Sequence, residues 1–197
     1  MKKTVPNGFT LIELLVVIAV IAIVGTFAIA NFRSFGEDKE LENAALDIQS
    51  QVRTAQANAS SGLKCENTTA LQWRNDFYRQ SDGYKIRLSC INDGTFTPKS
   101  PRYLVLPANI IIENIVVDGS SNSLPNLFTE NPWGGSYATT VFNTPFAEIS
   151  FRCNINYPTS GCSGGVPDGK VTIQLKNTKT NSTKQVIIDK GGRIYVQ

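Results

Sequence analysis

The sequence predicts an α+β protein in which one long N-terminal helix packs against antiparallel β-sheet. Two patterns predict this class: apolar and then amphipathic sequence up to Gly62, and a series of short alternating segments after it. Charge separates two parts, since residues 9–32 hold one charged side chain and residues 33–197 have the mixed composition of a soluble domain. A chain of 197 residues is long enough for one ordinary domain and an anchor.

The first part has the length of a membrane span. The residues from Leu14 to Phe32 are uncharged, and as a helix rising about 1.5 Å per residue they cover roughly 28 Å, which matches a bilayer interior. Lys2 and Lys3 precede this segment and predict a cytoplasmic N-terminus. A secretory signal peptide is disfavoured, because no A-x-A-like cleavage site followed by polar mature sequence is evident. Glu13 is unexpected there, because a carboxylate is costly in hydrocarbon and is usually functional.

An apolar stripe predicts that the helix continues through residues 33–62. Its members recur at steps of four and three: Leu41, Ala45, Ile48, Val52, Ala55 and Ala59. We expect this face to pack on a sheet, because the repeats are too few for a coiled coil. Gly62 is the predicted C-terminal stop.

Residues 63–197 are predicted to form a β-rich head domain. Alternating segments bounded by turn residues predict strands at 69–74, 83–90, 102–106, 110–117, 146–153, 170–176, 184–189 and 193–196. Residues 177–182 have the composition of a hairpin loop. The turn-rich segment 118–145 is predicted to be an exposed connection.

Composition argues against an enzyme. The chain has no histidine, which removes the commonest general base and the commonest transition-metal ligand. It contains no G-x-S-x-G motif, no P-loop and no dinucleotide-binding glycine motif. We therefore expect no catalytic residue, no cofactor and no resident metal. A net charge of +3 also argues against bulk nucleic-acid binding, although a local basic patch stays open.

Four cysteines indicate an oxidising compartment. Cys65, Cys90, Cys153 and Cys162 contain no C-x-x-C pair, and an even number behind an exported N-terminus predicts two disulfides. Three pairings are open. The pairs Cys65–Cys90 and Cys153–Cys162 are favoured because each closes a short loop, and a four-thiolate zinc site is the alternative.

The residues from Gly8 to Glu13, G-F-T-L-I-E before an apolar helix, resemble the leader of type IV pilins and of type II secretion pseudopilins. The resemblance is specific over residues 7–32. It implies that a prepilin peptidase removes residues 1–8 and methylates the new N-terminal Phe9. It also implies that Glu13 pairs with the Phe9 amine of a neighbouring subunit when the helices bundle.

The resemblance further implies partners and location. The partners are the peptidase, other pilin or pseudopilin subunits and an inner-membrane assembly platform. The chain is expected to cross the bacterial inner membrane once, with its N-terminus in the cytoplasm and its head in the periplasm or outside the cell, and to join a filament after assembly. Proline often stands near the end of the pilin helix. Ala30 stands there in this chain, which favours a minor pilin or a pseudopilin.

The C-terminus resembles that of minor pilins and pseudopilins of the general secretion H and fimbrial T types, which end in a hairpin and a Gly-Arg pair. Gly192 and Arg193 match this pair. In some competence-associated members a second arginine follows and contacts DNA. This gives a rival function, a DNA-binding minor pilin for DNA uptake, with Lys184, Lys190, Arg193 and Tyr195 as its candidate residues. Tyr195 replaces the second arginine, so solvated lysines on a hairpin are favoured over a DNA site.

Overall fold

The computed structural model describes residues 9–93, 97–117, 137–154, 163–165 and 170–197. The chain divides into two compact units, Met1–Glu37 and Asp38–Gln197. The predicted division at residues 8, 32 and 62 is a different one, and it stays a prediction.

One helix, α1, covers Leu11–Ser60. Its end is fixed by Gly62, which has a φ of 62° and occupies the left-handed region that glycine adopts most easily. The N–H of Gly62 donates to the carbonyl of Ala59 at 3.2 Å, and the N–H of Leu63 donates to that of Asn58 at 3.0 Å. This pair of bonds is a Schellman motif. The predicted stop at Gly62 is confirmed.

Within the described residues, twelve strands follow α1: β1 (Lys64–Cys65), β2 (Thr68–Thr69), β3 (Gln72–Gln80), β4 (Gly83–Ile91), β5 (Lys99–Val105), β6 (Ile110–Val117), β7 (Tyr137–Asn143), β8 (Glu148–Asn154), β9 (Ser163–Gly165), β10 (Lys170–Asn177), β11 (Thr183–Asp189) and β12 (Ile194–Val196). They form a six-stranded sheet in the order β5-β4-β3-β7-β8-β9, a four-stranded sheet in the order β12-β11-β10-β6, and the short pair β1-β2. Each pairing between these strands is antiparallel. The α+β class is therefore confirmed.

The predicted stripe of α1 forms part of the core. All of its members are buried: Leu41, Ala45, Ile48, Val52, Ala55 and Ala59. Ala44, which was not part of the predicted stripe, is buried as well. They share one hydrophobic cluster with residues of both large sheets, among them Phe77 of β3 and Ile173 of β10. Burial of this apolar surface is the main term that holds the helix against the sheets.

Polar side chains of α1 also bind backbone groups of the sheets. Gln49 Nε2 and an Arg53 guanidinium nitrogen donate to the carbonyl oxygen of Ile194, at 2.8 and 2.7 Å. Ile194 belongs to the four-stranded sheet. Toward the six-stranded sheet, Gln51 Nε2 donates to the carbonyl of Ile86 in β4 at 3.0 Å. These directed bonds fix the register of the helix, which apolar contacts alone specify weakly.

The predicted exposed connection at residues 118–145 was wrong in its last part. Residues 137–143 lie within the segment predicted as an exposed connection, yet they form β7, which pairs with β3 on one side and β8 on the other. From Ala138 to Phe142 every residue of β7 is buried. β7 was not predicted because a strand that is buried on both faces lacks the polar–apolar alternation of a half-exposed strand. Thr139 and Thr140 also give the segment a polar composition that is typical of a loop. The remainder of the predicted connection falls largely outside the described residues.

The candidate processing and assembly site

The N-terminus of α1 is closed by a capping box. Thr10 is the N-cap residue, and Glu13 stands three residues later. The backbone N–H and the hydroxyl of Thr10 both donate to Glu13 Oε2 at 2.8 Å. The N–H of Glu13 donates in turn to Thr10 Oγ1 at 3.3 Å. Glu13, which the sequence singled out for its need of a partner, therefore has one within its own chain.

The surface of the helix beyond this cap is apolar on every side. All residues from Phe9 to Val24 are exposed, and their large apolar side chains have exposed fractions between 46% and 83%. A helix that is apolar all round is stable only in an apolar environment, either lipid or the core of an assembly. Glu13 is the one charged side chain on this surface.

Among the residues that the structure describes, no helix is both long enough and apolar enough to cross a membrane. The single span predicted for residues 9–32 therefore stays a prediction.

Two residues define the predicted cleavage position. Gly8 lies outside the described residues. Phe9 is the first described residue and is 83% exposed, immediately before the Thr10 cap. The bond expected to be cut thus precedes α1, which begins at Leu11.

Comparison with known proteins identifies this region. Residues 6–29 match the family described as the prokaryotic N-terminal methylation motif. The chain therefore carries a prepilin-type motif, and the predicted resemblance to type IV pilin-like proteins is confirmed over this stretch. Such a motif implies processing by a prepilin peptidase and assembly with other pilins. No curated protein and no solved structure matches the chain.

The two predicted disulfides have different outcomes. Cys65 in β1 and Cys90 in β4 form a disulfide, with Cα atoms 5.7 Å apart, within the range that the bond requires. The loop between the end of α1 and β3 is thereby attached to β4 of the six-stranded sheet. Cys153 belongs to β8, but Cys162 lies outside the described residues, so this second pairing stays a prediction.

The candidate DNA-binding residues lie on the β11–β12 hairpin and its turn. Arg193 is 84% exposed, and its Nε lies 2.6 Å from Asp189 Oδ2. The backbone N–H of Arg193 also donates to this carboxylate, and this bond holds the pKa of Asp189 below its ordinary value. Lys184 belongs to β11, Lys190 to the turn and Tyr195 to β12. The internal ion pair reduces the charge that Arg193 offers to a phosphate.

Sequence reasoning missed a buried ionic network in the six-stranded sheet. Asp76 of β3 is fully buried and accepts two bonds from Arg87, at 2.9 and 2.8 Å. Thr139 Oγ1 donates to its other oxygen at 2.8 Å, and Arg74 Nε lies 3.2 Å from Oδ2. Asp76 of β3 is paired with Arg87 of β4 on one side and with Thr139 of β7 on the other. No local signal marks them, since the strands meet only after folding.

Proposed function

We propose that this chain is a structural subunit, a minor pilin or a pseudopilin, of a type IV pilus or of a type II secretion pseudopilus. The observation that carries the proposal is the methylation motif at residues 6–29, which contains the start of a helix that is apolar on all sides up to Val24. In this function the chain is the substrate of a processing enzyme and does no chemistry itself.

Processing comes first. A prepilin peptidase cuts between Gly8 and Phe9 and methylates the new α-amino group. Residues 1–8 are the leader, and the mature chain begins at Phe9. Exposure of Phe9 ahead of the helix cap supports this position.

The apolar segment 9–32 then holds the subunit in the bacterial inner membrane. Lys2 and Lys3 keep the leader in the cytoplasm, and the head, residues 63–197, faces the periplasm or the outside. An oxidising compartment agrees with the Cys65–Cys90 disulfide. The inner-membrane assembly platform and other subunits are the partners at this stage.

Assembly exchanges the environment of Glu13. Before assembly, the Thr10 N–H and hydroxyl satisfy its carboxylate. In the filament, the free α-amino group of a neighbour's Phe9 supplies a full positive charge, and an ion pair shielded from water is stronger than the same pair in water. Glu13 thereby sets the register of each new subunit.

The uninterrupted helix supports a minor pilin or a pseudopilin rather than a major pilin. Ala30 stands where a proline would kink or break the helix, and α1 continues through this position. Gly25 is the only glycine between Leu14 and Phe32, which contain no proline, and nothing lies within 4 Å of the position that a Cβ would take there.

The test is incorporation of the full chain into filaments in its own host. We expect Glu13→Ala to be processed normally and to be strongly depleted from sheared filaments, while it accumulates in the membrane. Glu42→Ala is the matched control, since Glu42 is a glutamate of the same helix that pairs with Lys39 on the surface. A Glu13→Ala subunit that is incorporated as well as the control would show that Glu13 does not direct assembly. Absence of the wild-type chain itself from sheared filaments would show that the head is merely anchored by its helix.

A further inference from the structure

The outer face of the six-stranded sheet, opposite the core, presents an aromatic platform. It consists of Tyr78 in β3, Arg87 and Lys85 in β4, and Tyr103 and Val105 in β5. The register pairs Tyr78 with Lys85 and Lys85 with Val105, and it pairs Arg87 with Tyr103. Paired residues of antiparallel strands point to the same face, so the five side chains form one continuous surface.

The arginine lies between the two tyrosines. The Arg87 guanidinium carbon is 5.9 Å from the centre of the Tyr78 ring, within cation–π range. Tyr103 is the direct cross-strand neighbour of Arg87 and is 55% exposed. β5 is the edge strand of the sheet, so none of the described strands covers Tyr103 on that side. The Arg87 guanidinium therefore contacts the Tyr78 ring, while the Tyr103 ring is exposed and accessible to a ligand.

Both cations of the platform are neutralised within the chain. Arg87 is ion-paired with the buried Asp76 at 2.8 Å. Lys85 Nζ lies 2.7 Å from Asp82 Oδ2 and donates to Gln80 Oε1 at 2.8 Å. A phosphate backbone would have to compete with these carboxylates, so the platform is unsuited to a polyanion. It offers aromatic faces and neutral hydrogen-bonding groups instead.

We propose that this platform binds a neutral oligosaccharide. Sugar rings stack their C–H faces on aromatic side chains, and their hydroxyls bond to nearby polar groups without needing a net charge. The Gln80 amide and the Tyr78 hydroxyl supply such groups along the rim. Burial raises the pKa of Tyr78 above its ordinary value, and Tyr103 acts in the same direction, so the Tyr78 hydroxyl stays protonated and able to donate at neutral pH.

The geometry favours a chain of sugars over a single one. Tyr78 and Tyr103 lie on strands separated by β4, two strand spacings apart, or about 10 Å across the sheet. One ring cannot cover both tyrosines over that span. A linear oligosaccharide running across the strands contacts both.

Titration by NMR or calorimetry tests the proposal, using the full chain in phosphocholine micelles so that no sugar detergent competes. Chitohexaose and cellohexaose are the probes. We expect at least one to bind the wild type, and Tyr103→Leu to weaken binding about tenfold because stacking is lost. Tyr103→Phe should retain binding. Phe146→Leu is the matched control, since Phe146 is an aromatic residue that is 89% exposed, lies between β7 and β8 and is not part of the platform.

Each of the following results would overturn the proposal: neither sugar binds at millimolar concentration, Phe146→Leu loses as much affinity as Tyr103→Leu, or oligo-thymidylate binds through Tyr103 while the sugars do not. Self-association of the chain through this face would equally contradict it. The outcome is independent of the proposed function, because filament incorporation depends on Glu13, whereas sugar binding depends on Tyr103.

Discussion

The carboxylate of the fully buried Asp76 in β3 binds side chains of both neighbouring strands, β4 and β7. Replacing it with alanine leaves Arg87 without its ion-pair partner and Thr139 without its acceptor. We expect Asp76→Ala to lower the free energy of unfolding by about 3–5 kcal/mol, because an uncompensated charge stays partly buried. Urea unfolding of the full chain, followed by tryptophan fluorescence, measures this.

A second aspartate of the same sheet region gives the control. Asp82 pairs with Lys85 in the turn between β3 and β4 and is exposed. Because water already screens such a pair, Asp82→Asn should unfold close to the wild-type midpoint. Equal losses for Asp76→Ala and Asp82→Asn would mean that burial of the network contributes nothing.

Gly192 has a structural role in the Gly-Arg pair. It has a φ of 81°, its carbonyl accepts a bond from Gln56 Nε2 at 2.9 Å, and a Cβ there would lie 2.6 Å from this nitrogen. Gly192→Ala therefore adds backbone strain and displaces the bond to α1. We expect a loss of about 1–3 kcal/mol in the free energy of unfolding. Gly36→Ala, where nothing lies within 4 Å, should cause no loss.

At the scale of elements, the Cys65–Cys90 disulfide closes a loop with a sequence separation of 25. A cross-link of this span stabilises a fold by about 3 kcal/mol, chiefly by restricting the unfolded chain. Cys65→Ala with Cys90→Ala should lower the free energy of unfolding by about that amount. A reductant cleaves every disulfide, and Cys153–Cys162 is also predicted, so it should destabilise the double variant further. A double variant that the reductant leaves unchanged would contradict the second pairing.

The β11–β12 hairpin carries a pH-dependent contribution. The N–H and guanidinium of Arg193 hold the pKa of Asp189 below its ordinary value. A lowered pKa stabilises the fold above the unfolded-chain pKa of about 3.9, and this stability is lost as the pH falls through the folded value. Asp189→Asn should therefore be less stable than the wild type at pH 6. The difference should shrink as the pH falls below about 4, and a constant difference would contradict this.

Some elements of the fold can be predicted from their own residues, and others cannot. The α1 stripe and its stop were predicted correctly, because burial on one face leaves a helical period and Gly62 is suited to a left-handed C-cap. β7 and the Asp76 network were not. Their polar residues are stabilised by partners on other strands, and a pattern read along one segment carries no information about them.

At the scale of the whole molecule, the N-terminal motif and the head differ in how much of their function the sequence predicts. The N-terminal motif is contiguous, so Gly8, Phe9 and Glu13 are recognisable from the order of residues alone. The capping box that satisfies Glu13 can also be read from the T-x-x-E spacing. The head shares its α+β architecture with many unrelated functions, and its aromatic platform forms only where β3, β4 and β5 align.

The most direct test of the central claim is the intact mass of the chain purified from bacterial membranes, with and without a coexpressed prepilin peptidase. With the peptidase, we predict a product that starts at Phe9 and carries one added methyl group on its α-amine. Gly8→Arg should block cleavage, and Gly25→Ala should be processed like the wild type. A chain that keeps Met1 in the presence of the peptidase, or one cut after the apolar segment, would contradict the assignment as a filament subunit.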